Sequence, residues 1–112
     1  MSPLRRGDIW TAASGGGYTK KPRPAIIIGD DNFDNPEAVT LIPLTSTLVD
    51  SPTRVPIPAD ATSGIDHPSY AMTDKIQTYK RSTVREFCGR VTDAQLVEIE
   101  RAMLLYLGVG PA

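Results

Sequence analysis

The sequence predicts one small, mainly β domain, either a barrel or a sandwich, that ends in a single α-helix. Ten prolines and nine glycines divide most of the 112 residues into short segments. These segments are rich in Val, Ile, Thr and Tyr, which favour strands. The C-terminal segment instead carries apolar residues at helical spacing. A chain of this length buries one core, so residues 1–112 are expected to form one domain.

Turn-forming residues bound each of the predicted strands. The strands are expected at Asp8 to Ala13, Ala25 to Gly29, Val39 to Pro43, Arg54 to Pro58, Ser69 to Met72, Lys75 to Tyr79, and Glu86 to Val91. Short helical turns are expected at Asn32 to Asn35 and at Ser46 to Asp50. Together these segments account for most of the chain before the C-terminal helix.

The predicted helix has start and stop signals of its own. Thr92 and Gln95 have the spacing of a capping box, and Val91 can pack against Leu96 as a hydrophobic staple. Gly108 suits the left-handed residue that ends a helix. The helix is therefore expected to begin after Thr92 and to end at Gly108.

An apolar stripe along this helix predicts that it packs on the sheet. The stripe consists of Leu96, Ile99, Met103 and Leu107, and it is widened by Val97 and Leu104. Leu105 lies on the opposite face, which hints at a second contact surface such as a dimer partner.

Composition describes an ordinary globular protein and gives no information about partners. Hydrophobic residues make up 40% of the chain, charged residues 22%, and the net charge is −1. Cys88 is the only cysteine, so no intramolecular disulfide can form. The N-terminus has no apolar stretch typical of a signal sequence, and the apolar runs are too short to cross a bilayer. A cytoplasmic location is expected.

Several short motifs occur in register along the chain. Arg6 to Trp10 reads RGDIW and is followed, after the glycine-rich loop Ser14 to Gly17, by Arg23 to Ile28, which reads RPAIII. Further along are Ile42 to Ser46 (IPLTS) and Thr73 to Thr78 (TDKIQT). In order and spacing these segments resemble the MazF/PemK (Kid) toxin family, and Gly89-Arg90-Val91 before the capped helix extends the likeness over nearly the whole chain.

The resemblance implies both a fold and a function. The fold would be an SH3-like small β-barrel of about seven strands with a C-terminal α-helix, assembled as a homodimer. The function would be that of a toxin of a type II toxin–antitoxin system. Such a toxin is a sequence-selective endoribonuclease, or mRNA interferase, that cuts single-stranded RNA and is held inactive by a cognate antitoxin protein.

Arg23 is the leading catalytic candidate. Cleavage of RNA by its own 2′-hydroxyl requires stabilisation of a crowded anionic phosphorane, and a guanidinium can grip two phosphate oxygens. Pro22 and Pro24 constrain the backbone around Arg23. By residue type alone, Arg23 could be an ordinary surface arginine at a strand start, but the flanking motif and the resemblance favour catalysis. Arginine stays protonated near neutral pH, so the acid–base role is left open.

Thr45 is the second catalytic candidate, because its hydroxyl could bond the scissile phosphate from the end of a strand. The resemblance favours Thr45 over Ser46 and Thr47, since Thr45 directly follows Pro43 and Leu44. Its alternative role is that of a turn or cap residue.

No cofactor is expected. A mechanism with paired histidines is excluded, because His67 is the only histidine. The nearest approach to a metal site is Asp30 and Asp31 with Asp34, which is more typical of a solvated loop. Cleavage is therefore expected to proceed in a chelator and to leave a 2′,3′-cyclic phosphate and a 5′-hydroxyl.

Basic and aromatic residues near these motifs are candidates for RNA binding. Lys20 and Lys21 could follow the phosphate backbone, and Tyr18 or Tyr79 could stack on an unpaired base. The resemblance adds Ser46, Asp74, Lys75 and Gln77. Gln77 departs from the family, which commonly has Arg or Lys there, and Met72 replaces an arginine found in one branch.

Two alternatives remain at this point. A topoisomerase poison similar to CcdB shares the fold but acts through its C-terminal helix, so it would not need Arg23. A degenerate toxin would bind RNA or antitoxin and cut poorly, and Gln77 is its main support. Trp10 is expected to pack in the core rather than to stack on a base.

Overall fold

The computed structural model describes residues 4–13 and 21–110. Its strands are β1 (Asp8–Ala12), β2 (Arg23–Ile27), β3 (Ala38–Thr45), β4 (Arg54–Ile57), β5 (Ser69–Met72), β6 (Gln77–Lys80) and β7 (Val84–Arg90), followed by helix α1 (Asp93–Leu107). Three short 3-10 helices lie at Asp31–Phe33, Thr73–Lys75 and Arg81–Thr83. The mainly β fold with a C-terminal helix is confirmed.

All strand pairs in the sheet are antiparallel, and β3 is the strand that organises them. The order is β4-β5-β3-β2-β1-β7, and β6 also pairs with β3. One edge of β3 pairs with β2, from Leu41 to Pro43. The other edge pairs first with β6 and then with β5, the latter at Leu44 and Thr45. In the described ranges β4 and β7 do not pair with each other, so strand pairing does not close the barrel.

The loop of residues 58–68 covers the edge strand β7. The N–H of Arg90 donates to the carbonyl of Thr62 at 2.8 Å. A Cβ at Gly89 would lie 2.3 Å from the carbonyl oxygen of Thr62 and 2.5 Å from that of Ser63. Glycine is therefore required at position 89, because any side chain would push the loop away.

The strands β1, β2 and β3 bury side chains on both faces, in two separate clusters. The first cluster lies under α1 and contains Ile9, Ile26, Ile28, Ile42, Leu44, Val55, Ile57, Ile65, Ala71, Val91, Ile99 and Ala102. The second contains Leu4, Ala12, Ala25, Ile27, Val39 and Leu41, with Trp10, Tyr79 and Val84 packed against it. Successive residues of β2 and β3 alternate between the clusters, as the two-residue period of a strand requires.

Both predicted ends of α1 are confirmed. The Thr92 side chain accepts from the Gln95 N–H, and the Gln95 side chain accepts from the Thr92 N–H, which completes the capping box. Gly108 has φ 69°, in the left-handed region. Its N–H contacts the carbonyls of Leu104 and Leu105 and satisfies the last turn.

The predicted apolar stripe of α1 is partly wrong. Ile99 is buried, and Leu96 and Met103 pack against the first cluster as predicted. Val97, Leu104 and Leu107 instead remain 43–54% exposed. The helix contacts mainly β4 and the 3-10 helix Thr73–Lys75, and these elements cover only one narrow face.

Two other local predictions are corrected. Residues 46–50 form no helical turn; the N–H of Thr47 donates to Thr45 Oγ1 at 3.1 Å, which bends the chain instead. The strand predicted from Lys75 begins at Gln77, because Thr73–Lys75 forms a 3-10 helix. No helix in the described part is both long and apolar enough to cross a membrane.

Gly89→Ala is expected to destabilise the fold by about 1–3 kcal/mol, because the new methyl group collides with backbone rather than with a movable side chain. Gly29→Ala is the matched control, since a Cβ there meets nothing within 4 Å. Urea unfolding of both variants measures the difference. Equal stability of the two variants would contradict the contact between the 58–68 loop and β7.

Candidate active site

A cleft opens on the sheet face that carries the second cluster. Its volume is about 450 Å³. The lining residues are Ala12, Lys21, Arg23, Pro24, Ala25, Pro43, Leu44, Met72, Lys75, Ile76, Gln77 and Tyr79. Ala12 and Ala25 are buried alanines of neighbouring strands, and their small side chains leave the space that a larger residue would fill. The cleft thus lies where the second cluster is thinnest.

Three cationic side chains line this cleft. Arg23 is exposed at the first position of β2, where it pairs with Ala12 of β1. Lys21 lies two residues before it, and Lys75 reaches the cleft from the 3-10 helix after β5. No carboxylate is among the lining residues. The described part of the cleft is therefore positively charged and suits a phosphate group.

Other residues of the lining are apolar or neutral. Met72, Ile76 and Pro43 supply apolar surface, while Gln77 and Tyr79 project from the same face of β6. The Gln77 Nε2 donates to the Tyr79 hydroxyl at 2.8 Å. The cleft thus joins a cationic side to a wall that can accept a planar ring.

Asp74 does not line the cleft, and its carboxylate is engaged elsewhere. Arg54 of β4 binds it through two hydrogen bonds, Nε to Oδ1 at 2.7 Å and Nη2 to Oδ2 at 3.1 Å. The hydrogen bonds from the guanidinium lower the pKa of the Asp74 carboxyl, and the same contact raises the pKa of Arg54.

A second contact fixes the same segment. Thr73 is fully buried, and its hydroxyl donates to the carbonyl of Thr53 at 2.5 Å. Together with the Arg54–Asp74 pair, this bond anchors the 3-10 helix Thr73–Lys75 to β4. Asp74 therefore acts on the cleft indirectly, because it holds the segment that presents Lys75.

Thr45 and Ser46 are likewise absent from the lining residues. Thr45 is half-buried at the end of β3, where it pairs with Tyr70 of β5 and accepts the Thr47 N–H. The β2–β3 ladder ends at Ala25–Pro43, and two further steps in the same register would align Thr45 with Arg23. Thr45 thus lies near the level of Arg23 along the sheet.

The structure brings together four of the predicted site residues, namely Lys21, Arg23, Lys75 and Gln77. Tyr18 and Lys20 lie outside the described residues. Sequence reasoning missed the apolar wall, because Met72, Ile76 and Pro43 read as ordinary strand residues. Tyr79 was predicted only to stack on a base. Its hydrogen bond to Gln77 joins residues i and i+2 of one strand, and this spacing could have indicated that the two side chains are neighbours.

The remaining candidates lie away from the cleft. His67 is exposed in the loop before β5. Burial raises the pKa of the half-buried Cys88 thiol, and the charges of Glu86 and Asp66 raise it further.

Within residues 4–13 and 21–110, no group of three or more His, Cys, Asp or Glu side chains is placed to hold a metal ion. Trp10 packs against the second cluster and meets Phe87 edge-on at 5.5 Å, as expected of a core residue.

Comparison with known proteins identifies the family. Residues 5–107 match the family model described as PemK-like, MazF-like toxin of type II toxin–antitoxin system. The chain belongs to this toxin family. A relative from Mycolicibacterium smegmatis, named probable endoribonuclease MazF, is 42% identical over 107 residues that cover 95% of this chain and 98% of the relative.

Solved structures of MazF-like toxins have the same fold. An endoribonuclease from a mycobacterial species superposes with a TM-score of 0.80 at 21% identity, over 100% of this chain and 98% of that one. A mycobacterial endoribonuclease in complex with its cognate antitoxin gives a TM-score of 0.79 at 24% identity, over 96% and 98% of the two chains. The cleft described above therefore belongs to a fold shared within the family.

Asp74→Asn is expected to lower the melting temperature at pH 7, with the difference shrinking as the pH falls below about 4. The pKa of the Asp74 carboxyl is lower in the folded than in the unfolded state. The ionised carboxylate therefore stabilises the fold above the unfolded-state pKa, and this stabilisation is lost as the pH falls through the folded-state pKa. Thermal melts between pH 3 and pH 7 measure the difference. A difference independent of pH would contradict a stabilising charge on Asp74.

Proposed function

We propose that this MazF-like toxin is a sequence-selective endoribonuclease that cuts single-stranded RNA at the cleft around Arg23. The observation that carries the proposal is the grouping of Arg23, Lys21 and Lys75 beside an apolar wall. The cations suit the phosphates of the strand, and the wall suits an unpaired base. The endoribonuclease name of the 42% identical relative supports the same activity.

Arg23 is the catalytic residue in this mechanism. The 2′-hydroxyl of the substrate loses its proton and forms a bond to the adjacent phosphorus. The bond from phosphorus to the 5′-oxygen of the next nucleotide breaks, and this leaving oxygen takes up a proton. Two N–H groups of the planar guanidinium bind the phosphate oxygens, where charge increases as the phosphorane forms. Lys21 and Lys75 compensate the charges of the flanking phosphates. The products are a 2′,3′-cyclic phosphate and a 5′-hydroxyl.

Thr45 is the second catalytic residue in the proposal. Its Oγ1 accepts the N–H of Thr47, which fixes the hydroxyl and leaves its own proton to donate to a phosphate oxygen. The end of the β2–β3 ladder at Ala25–Pro43 supports this role, because Arg23 and Thr45 each lie two residues beyond that pair. Asp74 contributes through the anchored segment that carries Lys75.

Arg23→Ala is expected to lower the cleavage rate by about 10²–10³-fold, the usual loss when one preorganised donor to the transition state is removed. Arg23→Lys is expected to recover little of it, because an ammonium lacks the planar fork. The measurement is single-turnover cleavage of a long unstructured RNA in EDTA, with mapping of the new 5′ ends.

Arg85→Ala provides the matched control, since Arg85 is an exposed arginine of β7 that does not line the cleft. It is expected to cut at the wild-type rate. Cleavage by Arg23→Ala at the wild-type rate would remove Arg23 from the mechanism. An RNA that stays intact with the wild-type protein would favour a degenerate toxin that binds without cutting.

The proposal includes a homodimer built on the exposed end of α1. Leu104, Leu105, Tyr106, Leu107 and Val109 are each about half exposed, so the C-terminal end of α1 carries apolar surface on several sides. Apolar surface of this kind on a soluble domain is typical of an interface. The antitoxin would be an acidic chain that covers the cationic cleft, and both proteins would act in the cytoplasm, where mRNA is available.

The double variant Leu104→Asp/Leu107→Asp is expected to shift the protein to monomers, because it places two charges in the apolar surface. Sedimentation velocity over a range of protein concentrations measures the effect. Phe33→Asp is the control, since Phe33 is 83% exposed in the 3-10 helix Asp31–Phe33, outside α1. A wild-type protein that sediments as a monomer at all concentrations would refute the dimer.

A further inference from the structure

An acidic residue stands directly before one of the three cations of the cleft. Asp74 and Lys75 are neighbours in one 3-10 helix, and Lys75 is exposed and lines the cleft, whereas Asp74 does not line it. The hydrogen bonds from Arg54 lower the pKa of the Asp74 carboxyl most, and the charge of Lys75 lowers it further, so the two neighbouring charges interact. A carboxylate at this position without another partner would compete with a phosphate for the Lys75 ammonium.

Arg54 binds this carboxylate from outside the cleft. Its guanidinium donates to both oxygens of Asp74, at 2.7 and 3.1 Å, so each oxygen has a charged donor. The Arg54 side chain is 11% exposed and the Asp74 side chain 26%, so salt screens this pair less than a pair at the open surface. Arg54 does not line the cleft and instead borders a second groove, between β4 and α1. Its influence on an RNA in the cleft therefore passes through Asp74.

Two further contacts hold this segment independently of the Arg54–Asp74 pair. The carbonyl of Thr53 accepts the hydroxyl of the buried Thr73 at 2.5 Å and the Thr73 N–H at 3.3 Å. On the other side of the pair's carboxylate, Ile76 packs against the first cluster. The backbone is thus fixed both before and after the two charged residues. Removal of the guanidinium therefore changes chiefly the charge beside the cleft, rather than the path of the chain.

We propose that Arg54 is a positioning residue for RNA binding, which holds the Asp74 carboxylate away from Lys75 and so keeps the Lys75 ammonium free for a phosphate. The proposal rests on the ribonuclease function proposed above and deepens it, because it assigns a role to a residue that the RNA does not contact. No ion pair among the described residues engages Lys75. Its charge is thus free for a ligand although an aspartate directly precedes it.

The test is the affinity for a single-stranded oligonucleotide of 2′-O-methyl RNA, measured over a range of salt concentrations. This oligonucleotide lacks the attacking hydroxyl and stays intact. Each phosphate that a cation neutralises on a single strand adds about 0.7 to the slope of log affinity against log salt concentration. Lys75→Ala is expected to bind about twofold to fivefold more weakly at low salt and to lower the slope by about 0.7. Arg54→Gln is expected to do the same, because Asp74 then binds the ammonium in place of a phosphate.

The double variant Arg54→Gln/Asp74→Asn separates this role from simple anchorage of the segment. The single variant Arg54→Gln and the double variant both lack the ion pair, but only the single variant keeps the carboxylate. If the carboxylate is what withholds Lys75, its removal restores the free ammonium. The double variant is therefore expected to recover the wild-type slope and to bind within about twofold of the wild-type affinity.

Arg101→Gln is the matched control. Like Arg54→Gln, it removes one positive charge and leaves a carboxylate without its partner, but this carboxylate is Glu98 of α1, which does not line the cleft. The control is expected to keep the wild-type affinity and slope. Thermal melts establish that every variant is folded at the temperature of the binding measurement.

The outcomes separate this inference from the proposed function. A wild-type slope in Lys75→Ala or in Arg54→Gln would overturn the inference. A double variant that binds as weakly as Arg54→Gln would also overturn it, because the pair would then only anchor the segment, and so would an equal loss in Arg101→Gln. In each of these cases, cleavage of unmodified RNA by the wild-type protein would leave the ribonuclease function standing. A wild-type protein that neither binds the oligonucleotide nor cuts unmodified RNA would overturn that function, and the inference with it.

Discussion

The burial of β1, β2 and β3 on both faces is the constraint on which the rest of the structure depends. A single sheet in water normally buries one face, yet these strands direct apolar side chains into two clusters. The first cluster is completed by Ile99 and Ala102 of α1. No helix of the described ranges completes the second, against which Trp10, Tyr79 of β6 and Val84 of β7 pack.

The cleft is a consequence of this asymmetry. Where the second cluster ends, Ala12 and Ala25 leave a hollow, and the cations of the neighbouring segments line it. The cations at its border are exposed, so a ligand in the cleft can reach them. The Arg54–Asp74 pair matters to the cleft because it holds the segment that closes one side of the hollow.

Local signals allowed much of the fold to be predicted. The strand cores, the capping box of Thr92 and the glycine end of α1 depend on neighbours within a few residues, and these predictions are confirmed. Glu100 shows the limit of such signals. It interrupts the apolar stripe, and the structure explains this through an ion pair with Arg6 at 2.8 Å, a partner far away in sequence.

The candidate site was predictable only in part, for the same physical reason. The resemblance located Arg23, Lys75 and Gln77, and the structure places them in one cleft. It could not reveal that Asp74 is bound by Arg54, because β4 meets this segment only in the folded chain. Position along the chain likewise could not show that Thr45 pairs with Tyr70 of β5, since this partner is distant in sequence.

The peripheral position of β6 has an evolutionary consequence. Among the described strands, β3 alone pairs with it, and three of its four residues are exposed. Substitutions at exposed strand positions generally change folding free energy little, so Gln77 can vary without disturbing either cluster. Arg23, in contrast, is tied to β2 at the centre of the sheet. The fold thus separates a position held within the sheet from a position at its periphery that can diverge between related chains.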